Sequence, residues 1–443
     1  MSRNTKSLGS TFLKDGAFGI FGMLGISVYI LADTYFIATG IGNEALASLN
    51  IAIPVYGLLT GIGLMLGIGG ATKFTILRAG GKPEDSQNVF TNTLLLGGML
   101  SLIMTMIGVF FAEEFTRLLG ADEAIFETTK IYLQTVLLFS GFFIMNNIFV
   151  AFVRNDNNPR IAMLAMIIGS FGNIILDYIF IYPLQLGMLG AALATVTAPA
   201  VGLSLMVYYW LKHSKALKLK KPTNFLKEWG VIISLGSAAF ITDFSNGLVI
   251  LLFNLTIVGI AGNIGVAAYS VVANIALVIV AVYIGMGQGI QPLISESFGK
   301  NRTEDLQRIL RWTVFITFGI GLLTFGLGFV SAPKIMEVFN SERDPIMSRL
   351  GIEGIRIYFS AFIFMGINIT MGAFFAAVSL AKAAIRISFL RGIFLVVPLV
   401  FLLPQWMGMV GVWLVVPIVE IITLLFVLGY LRYFIKNNLI KYE

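Results

Sequence analysis

Apolar residues along this chain fall into twelve stretches, each about 20 residues or longer and separated by short polar segments. A helix needs about 20 predominantly apolar residues to cross the hydrocarbon core of a bilayer. The pattern therefore predicts an all-α integral membrane protein with twelve transmembrane helices, six in each half. Within a few residues, the stretches cover 15–38, 47–72, 88–112, 128–153, 161–182, 187–211, 229–258, 264–295, 308–331, 350–378, 385–404 and 408–431.

Short runs recur between the two halves, about 220 residues apart. Gly67-Ile-Gly-Gly and Gly81-Lys-Pro-Glu-Asp parallel Gly285-Met-Gly-Gln and Gly299-Lys-Asn-Arg-Thr-Glu-Asp. Because each half holds an even number of spans, both halves start on the same side of the membrane. The repeat therefore predicts two six-helix lobes related by a pseudo-two-fold axis along the membrane normal.

The repeat also predicts the boundaries of the lobes. We expect residues 1–211 to form an N-terminal lobe with helices 1–6 and residues 229–443 a C-terminal lobe with helices 7–12. Residues 212–228 are rich in lysine and form the predicted cytoplasmic linker.

The distribution of Lys and Arg predicts the orientation, because cytoplasmic loops carry an excess of both. With both termini in the cytoplasm, most of the 30 Lys and Arg residues fall on the cytoplasmic side. Those on the other side are Arg117, Lys130, Lys334, Arg343, Arg349 and Arg356. We expect a multi-pass protein of the cell (inner or plasma) membrane.

The composition excludes an ordinary soluble globule. The 443 residues are 57% apolar and 12% charged, whereas soluble domains are about 45–50% apolar and about 25% charged. The chain has no cysteine and one histidine, His213 in the basic linker, which disfavours thiol catalysis, histidine triads and histidine metal sites. We expect no enzyme activity and no cofactor, and we attribute the net charge of +7 to loops that face anionic lipid, not to nucleic-acid binding.

Two similar bundles with little mass outside the membrane are typical of transporters, in which a cleft between repeats opens to either side in turn. A membrane-embedded enzyme is disfavoured because no histidine or cysteine lies in any predicted span. A channel is the third alternative, and saturable, gradient-dependent flux would distinguish a transporter from it.

Four acidic residues lie inside the apolar stretches: Asp33, Asp177, Asp243 and Glu420. An ionisable side chain at this depth costs several kcal/mol unless it is paired, hydrated or neutralised, so each is a functional candidate. For Glu420 we favour a structural role or a role in the polarity of the cavity. For Asp243, contact with a cationic substrate or a second cation competes with a helix–helix hydrogen bond.

Asp33 and Asp177 lie at the same predicted depth. A rise of 1.5 Å per residue places both, with Thr195, about 26–28 Å from the basic residues at the cytoplasmic ends of their helices. Tyr29 and Asn173 each precede an aspartate by four residues and so share its helix face. Two carboxyl groups with these polar neighbours would hold a shared proton or a bare cation. The alternative is that the two aspartates mark the water interface and a helix end.

The glycine clusters at 61–70 and 285–289 contain small-xxx-small spacings. Such spacings let helices approach closely, so we expect these glycines to pack helices together. They do not form a phosphate-binding loop, because no Gly-Lys-Ser/Thr follows them.

Several longer runs resemble the multidrug and toxic compound extrusion (MATE) family across nearly the whole chain. These runs are Tyr29-Ile-Leu-Ala-Asp-Thr-Tyr-Phe-Ile-Ala, Phe152-Val-Arg-Asn-Asp-Asn-Asn-Pro-Arg-Ile-Ala-Met, Gly172-Asn-Ile-Ile-Leu-Asp-Tyr-Ile-Phe-Ile, Gly289-Ile-Gln-Pro-Leu-Ile-Ser, Ser388-Phe-Leu-Arg with Pro398, and Gly408-Met-Val-Gly-Val-Trp. The resemblance implies two lobes around a central cavity. It also implies export of organic cations or other amphiphiles against an inward flow of protons or sodium ions.

In prokaryotic members an aspartate on helix one and another on helix five form the cation site, and these positions match Asp33 and Asp177. The resemblance adds supporting residues, of which Asn147 is predicted to lie shallower than the rest. The implied cation or proton site comprises Asp33, Asp177, Asn173, Tyr29, Thr195 and Asn147. If the site binds a metal ion, the resemblance implies sodium at Asp33 and Asp177. Asp243 matches an acidic residue of helix seven, and with Gln291 it forms the candidate substrate cavity or second cation site.

One feature departs from the family. Many members carry a proline early in helix one, whereas this chain reads Asp15-Gly-Ala-Phe-Gly-Ile-Phe-Gly, so a proline-driven bend is in doubt. We expect a monomeric antiporter whose partners are a small organic substrate and membrane lipid. The alternative is a flippase or exporter of a lipid-linked precursor or a specific metabolite on the same two-lobe plan; a flippase would need a cationic cavity.

Overall fold

The structure is a computed structural model that describes residues 5–340 and 343–436. Residues 1–4 and 437–443 of the predicted cytoplasmic termini lie outside this part, as do residues 341 and 342. The helices are α1 (Thr5–Gly40), α2 (Asn43–Ala79), α3 (Pro83–Phe110), α4 (Ala112–Leu118), α5 (Phe126–Leu138), α6 (Ser140–Asn155), α7 (Pro159–Ile181), α8 (Gly187–Lys212), α9 (Phe225–Gly299), α10 (Thr303–Phe339), α11 (Pro345–Tyr358), α12 (Phe362–Ala377), α13 (Ala381–Phe389) and α14 (Val396–Lys436).

These helices make twelve spans in the described part of the chain. Helices α1, α2, α3, α7, α8 and α10 are spans 1, 2, 3, 5, 6 and 9. Helices α5 and α6 meet at a 48° bend and form span 4. Non-helical backbone at Gly262 divides α9 into spans 7 and 8, and Gly408 likewise divides α14. Span 10 joins α11 and α12 through a 3-10 turn, and span 11 joins α13 to the start of α14 through the π-helical segment Leu390–Phe394.

The prediction of an all-α protein with twelve transmembrane helices is confirmed, but the helices extend further than the apolar stretches. Helix α1 begins at Thr5, ten residues before the apolar stretch, because helical hydrogen bonding continues into the polar segment. The bend in span 4, the short helix α4 and the π-helical segment were not predicted, because hydropathy carries no signal for them.

The backbone repeats between the two halves at the loops. Residues with positive φ recur about 220 residues apart, one at each of the five turns within a half. The pairs are Gly42 and Gly262, Gly81 and Asn301, Gly120 and Arg343, Asn157 and Ser379, and Gly187 and Gly408. Equivalent turns with a left-handed backbone conformation at the same position agree with two parallel six-helix repeats.

Two sets of buried side chains define the two lobes. The first set extends from Ile37 to Tyr209, with Leu217 added from the linker and Ile232 from the start of span 7. The second set, which forms two clusters, consists of residues from 238 onward, together with Leu8 and Phe12 from the first turns of α1. The start of span 1 therefore packs on the second half of the chain. The exact boundaries at residues 211 and 229 stay a prediction.

The lobes approach most closely near the end of the bundle where α1 begins and α14 ends, which we call the basic end. A Cβ atom at Gly19 would lie 2.8 Å from the Cα atom of Gly289, and one at Gly69 would lie 2.9 Å from the backbone N of Gly236. Real Cβ atoms essentially never approach this closely, so both crossings require glycine. The predicted packing role of the two glycine clusters is confirmed.

Polar contacts join the lobes at the same end. They connect Thr72 and Asn155 to Gln291 (2.9 and 2.8 Å), Arg154 to Gln288 (3.0 Å) and Lys73 to Glu228 (2.6 Å). These polar groups lie beside the glycine crossings, where the backbones of the two lobes are in contact. This conformation is therefore closed at the basic end.

The linker lies against the N-terminal half. The backbone N of Lys220 donates to Thr91 Oγ1 (2.9 Å), the backbone N of Thr223 donates to Asn88 Oδ1 (2.9 Å), and Leu217 is buried. The polar residues at the start of span 3 thus hold the linker in place.

We predict that Gly236→Ala weakens closure at the basic end. Its Cβ would collide with the carbonyl of Met65 in span 2, and overpacking of this kind costs about 1–3 kcal/mol. The chain lacks cysteine, so Thr72→Cys gives a single reporter at the buried contact. In this background, Gly236→Ala should raise the rate of maleimide labelling about tenfold.

The matched control is Gly230→Ala on the same helix, where an added Cβ meets nothing within 4 Å. Equal labelling rates in the two variants would show that the glycine crossing does not hold the lobes closed.

Candidate functional site

Glycines on span 1 bring Asp33 close to span 5. A Cβ at Gly25 would lie 3.6 Å from the Cα atom of Ile167, and one at Gly22 would lie 3.7 Å from that of Met163. Helix α1 is continuous through this region, so in this conformation the glycines pack helices and do not bend span 1. Two turns further along, the same packing places Asp33 beside Asp177.

Asp33 and Asp177 form a buried carboxyl pair. Their side chains lie close enough for their charges to interact, and the two residues are 6% and 0% exposed. Three of the four carboxyl oxygens have no hydrogen-bond partner among the described residues. Two negative charges about 4 Å apart repel by about 4 kcal/mol at an effective dielectric of about 20. A proton or a cation between the carboxyl groups would remove this repulsion.

Polar side chains surround the pair. Asn173 is fully buried, and neither its amide oxygen nor its amide nitrogen has a partner among the described atoms. Thr195 is buried, and its Oγ1 lies 3.4 Å from the hydroxyl of Tyr132. The buried Tyr29 shares a helix face with Asp33. Leaving the amide atoms of Asn173 unpaired costs about 1–3 kcal/mol each, and the oxygens of all three side chains are of the type that hard cations prefer as ligands.

Two tyrosines of this region were missed in the sequence. The hydroxyl of Tyr56 on span 2 contacts the hydroxyl of Tyr29, and Tyr132 on span 4 approaches Thr195. Both lie near the predicted outer ends of their spans, where tyrosine is typical of the membrane interface. Neither therefore stood out from composition or spacing.

Asn147 lies apart from the carboxyl pair in this conformation. It is half-buried, its amide donates to the carbonyl of Phe143 within span 4 (3.0 Å), and its side chain packs against Gly63 of span 2. Among the described residues, these contacts do not include Asp33 or Asp177. Its role in cation binding stays a prediction.

Asp243 lies at the interface between the lobes. Its Oδ2 accepts a hydrogen bond from Thr60 Oγ1 on span 2 (2.7 Å). Asp243, Thr60 and Tyr56 are all half-buried, so this part of the interface is more open than the basic end. Phe240 lies beside the carboxylate, since a Cβ at Gly61 would contact both its ring (3.0 Å) and Asp243 Oδ2 (3.7 Å), and the rings of Phe240 and Phe244 are nearly parallel at 7° with their centroids 6.0 Å apart.

Gln291 lies nearer the basic end, where its side chain forms hydrogen bonds to residues of the other lobe. Its amide nitrogen donates to Thr72 and to Ser295 (3.2 Å), and its amide oxygen accepts from Asn155. In this conformation Gln291 belongs to the closed contact and not to the region around Asp243. Its predicted role in a substrate cavity or second cation site stays untested.

Glu420 takes part in a buried ion pair within the C-terminal lobe. Its Oε1 accepts from Arg391 Nε and Nη2 (3.1 and 2.8 Å), and its Oε2 accepts from Asn368 Nδ2 (2.7 Å). Arg391 lies in the π-helical segment of span 11, inside the apolar stretch predicted at residues 385–404. The pair agrees with the structural role favoured for Glu420.

This fold and this carboxyl pair define a polytopic membrane transporter with two lobes, not an enzyme. The MatE family model matches residues 19–179 and 239–402, one segment in each half. The chain therefore belongs to the MATE family.

Known proteins resemble the chain along most of its length. The multidrug export protein MepA of Staphylococcus saprophyticus is 24% identical over 393 residues, which cover 87% of this chain and 85% of that protein. An outward-facing structure of a multidrug resistance MATE transporter has a TM-score of 0.89 at 21% identity, with 95% of each chain covered. A Pyrococcus furiosus transporter, described as having a binding pocket of reverse polarity that suggests a different function, also scores 0.89 at 21% identity, with complete coverage of both chains.

We predict that Glu420→Ala destabilises the protein by about 3–5 kcal/mol, because it leaves the Arg391 cation buried without its partner. The double substitution Arg391→Met with Glu420→Leu should recover most of this loss. Thermal unfolding in detergent measures both effects. As a control, Glu127→Ala breaks an exposed ion pair with Lys130 and should change stability by less than about 1 kcal/mol. Equal effects of Glu420→Ala and Glu127→Ala would contradict the prediction.

Proposed function

We propose that this protein is a secondary antiporter that exports amphiphilic or cationic organic compounds in exchange for protons or sodium ions. It acts by alternating access between its two lobes. It needs no cofactor, and it works as a monomer in the cell membrane, with the basic end facing the cytoplasm. The similarity to the multidrug export protein MepA and to a multidrug resistance MATE transporter supports multidrug export as the transport class.

The observation that carries the proposal is the buried pair of Asp33 and Asp177. A purely structural polar cluster would be expected to satisfy its own donors and acceptors. Here both oxygens of Asp177, one oxygen of Asp33 and both polar atoms of Asn173 lack hydrogen-bond partners within residues 5–340 and 343–436. Such a site favours binding of a proton or a bare cation, which supplies the missing positive charge.

The substrate side of the exchange centres on Asp243. An organic cation entering the interface between the lobes meets this carboxylate, and the rings of Phe240 and Phe244 offer apolar contact and cation–π attraction. A flippase of lipid-linked precursors would need free cationic groups to bind pyrophosphate. Arg391, the buried cation of the C-terminal lobe, is instead neutralised by Glu420.

Exchange follows if the carboxyl pair and the organic substrate favour different conformations. The present conformation is closed at the basic end. With that end in the cytoplasm, the cleft faces outward, which is the state in which external protons or sodium reach the N-terminal lobe and substrate leaves.

We predict that Asp33→Asn and Asp177→Asn abolish gradient-driven efflux of an organic-cation dye such as ethidium. An amide keeps the shape of the carboxyl group but cannot take up and release a positive charge. Efflux from proteoliposomes under separately imposed pH and sodium gradients measures the effect and identifies the coupling ion. The control is Glu123→Gln, an exposed acid with a 96% exposed side chain, which should transport like the unaltered protein.

Full-rate efflux by Asp33→Asn under either gradient would rule out the carboxyl pair as the coupling site. Both variants must stay monodisperse in detergent and bind ethidium, so that loss of transport is not loss of folding.

A further inference from the structure

The carboxyl pair and Asp243 lie in different lobes, and polar side chains of spans 1 and 2 lie between them. Asp33 and Tyr29 share a face of span 1, one turn apart. The Tyr29 hydroxyl contacts the Tyr56 hydroxyl on span 2. One turn along span 2, Thr60 donates to Asp243 on span 7 (2.7 Å).

Tyr56 occupies the centre of this set of side chains. Its hydroxyl lies near enough to both Asp33 and Asp243 for each charge to act on it. Its main-chain carbonyl is 3.0 Å from Thr60 Oγ1. Its ring packs edge-on against Phe143, with the centroids 5.6 Å apart and the planes at 85°, so span 4 holds the ring from one side.

We propose that Tyr56 is a positioning residue that couples the charge state of the carboxyl pair to organic-cation binding at Asp243. The inference rests on the function proposed above and names the residues through which the two sites communicate. It requires no net proton transfer and no movement of a helix within either lobe.

The hydrogen bond between the two tyrosines has two possible directions, because either hydroxyl can donate. When Tyr29 donates, the hydrogen of Tyr56 is free for an acceptor on the side of the cleft. When Tyr56 donates, the hydrogen of Tyr29 is free for an acceptor on the side of Asp33. A charged Asp33 favours the second arrangement and a neutralised Asp33 the first, so the pair is a two-state element that both sites bias.

Thr60 connects the second state to the substrate site. Its single hydroxyl hydrogen can reach Asp243 Oδ2 or the carbonyl of Tyr56. Because the charge of Asp243 also acts on the Tyr56 hydroxyl, the direction of the tyrosine pair changes the electrostatic potential at Asp243, and therefore how strongly this carboxylate attracts an organic cation. The titratable groups around Tyr56 are Tyr29, Asp33, Tyr132 and Asp243.

The test measures the equilibrium affinity for ethidium in detergent at high and low proton and sodium concentrations. The ratio of the two dissociation constants is the coupling factor between the sites, which lies at about 5–150 for typical allosteric coupling. In Tyr56→Phe, which keeps the ring but removes the hydroxyl, we expect this factor to fall below about three. The affinity measured without competing ions should stay close to that of the unaltered protein.

Two further variants test the same set of side chains. Thr60→Val removes the hydroxyl at its other end and should lower the coupling factor similarly. The double variant Tyr29→Phe with Tyr56→Phe should have the same coupling factor as Tyr56→Phe alone. Each substitution removes the same hydrogen bond, so their effects should not add. The matched control is Tyr178→Phe, in which the hydroxyl is removed from an exposed tyrosine next to Asp177 in the sequence.

An unchanged coupling factor in Tyr56→Phe, with the factor lost in Asp33→Asn, would overturn the inference about Tyr56 alone. Equal loss in Tyr178→Phe would overturn it as well, because that exposed hydroxyl lies outside this set of side chains. If Asp33→Asn keeps the full factor, the function proposed for the carboxyl pair fails, and the inference fails with it.

Discussion

Two carboxyl groups cannot remain together, charged and dry inside a membrane protein. Asp33 and Asp177 lie close enough for their charges to interact and are almost completely buried, and most of their oxygens lack a hydrogen-bond partner in the described part of the chain. A proton or cation must therefore be present whenever this geometry exists. This requirement links the conformation of the protein to the binding of a proton or cation at this site. The rest of the structure determines how that binding affects the substrate site.

The surrounding architecture places this constraint in one lobe only. The turns repeat between the halves, but the residues about 220 positions beyond Asp33 and Asp177 are Phe253 and Leu399. The C-terminal lobe has its own buried acid, Glu420, already neutralised by Arg391. A symmetric scaffold thus carries an exchangeable charge on one side and a fixed ion pair on the other. Asp243, at the interface, is the acid best placed to respond to both lobes.

Much of this could be predicted from the sequence. Hydropathy located the twelve spans, and the helical rise placed Asp33, Asp177 and Thr195 at one depth, because both properties depend only on positions along the chain. The rotation of each helix about its axis is not specified in this way. For this reason the sequence did not predict the contacts of Tyr56 and Tyr132, the position of Gln291 in the closed contact between the lobes, or the pairing of Arg391 with Glu420.

The most direct measurement counts the protons and sodium ions released when ethidium binds to the purified protein in weakly buffered solution. If the occupied carboxyl pair and the bound organic cation favour opposite states, each binding event should release about one cation in total from the unaltered chain. The chain with both Asp33→Asn and Asp177→Asn should release none. Ethidium binding to the unaltered chain without release of either ion would contradict the account.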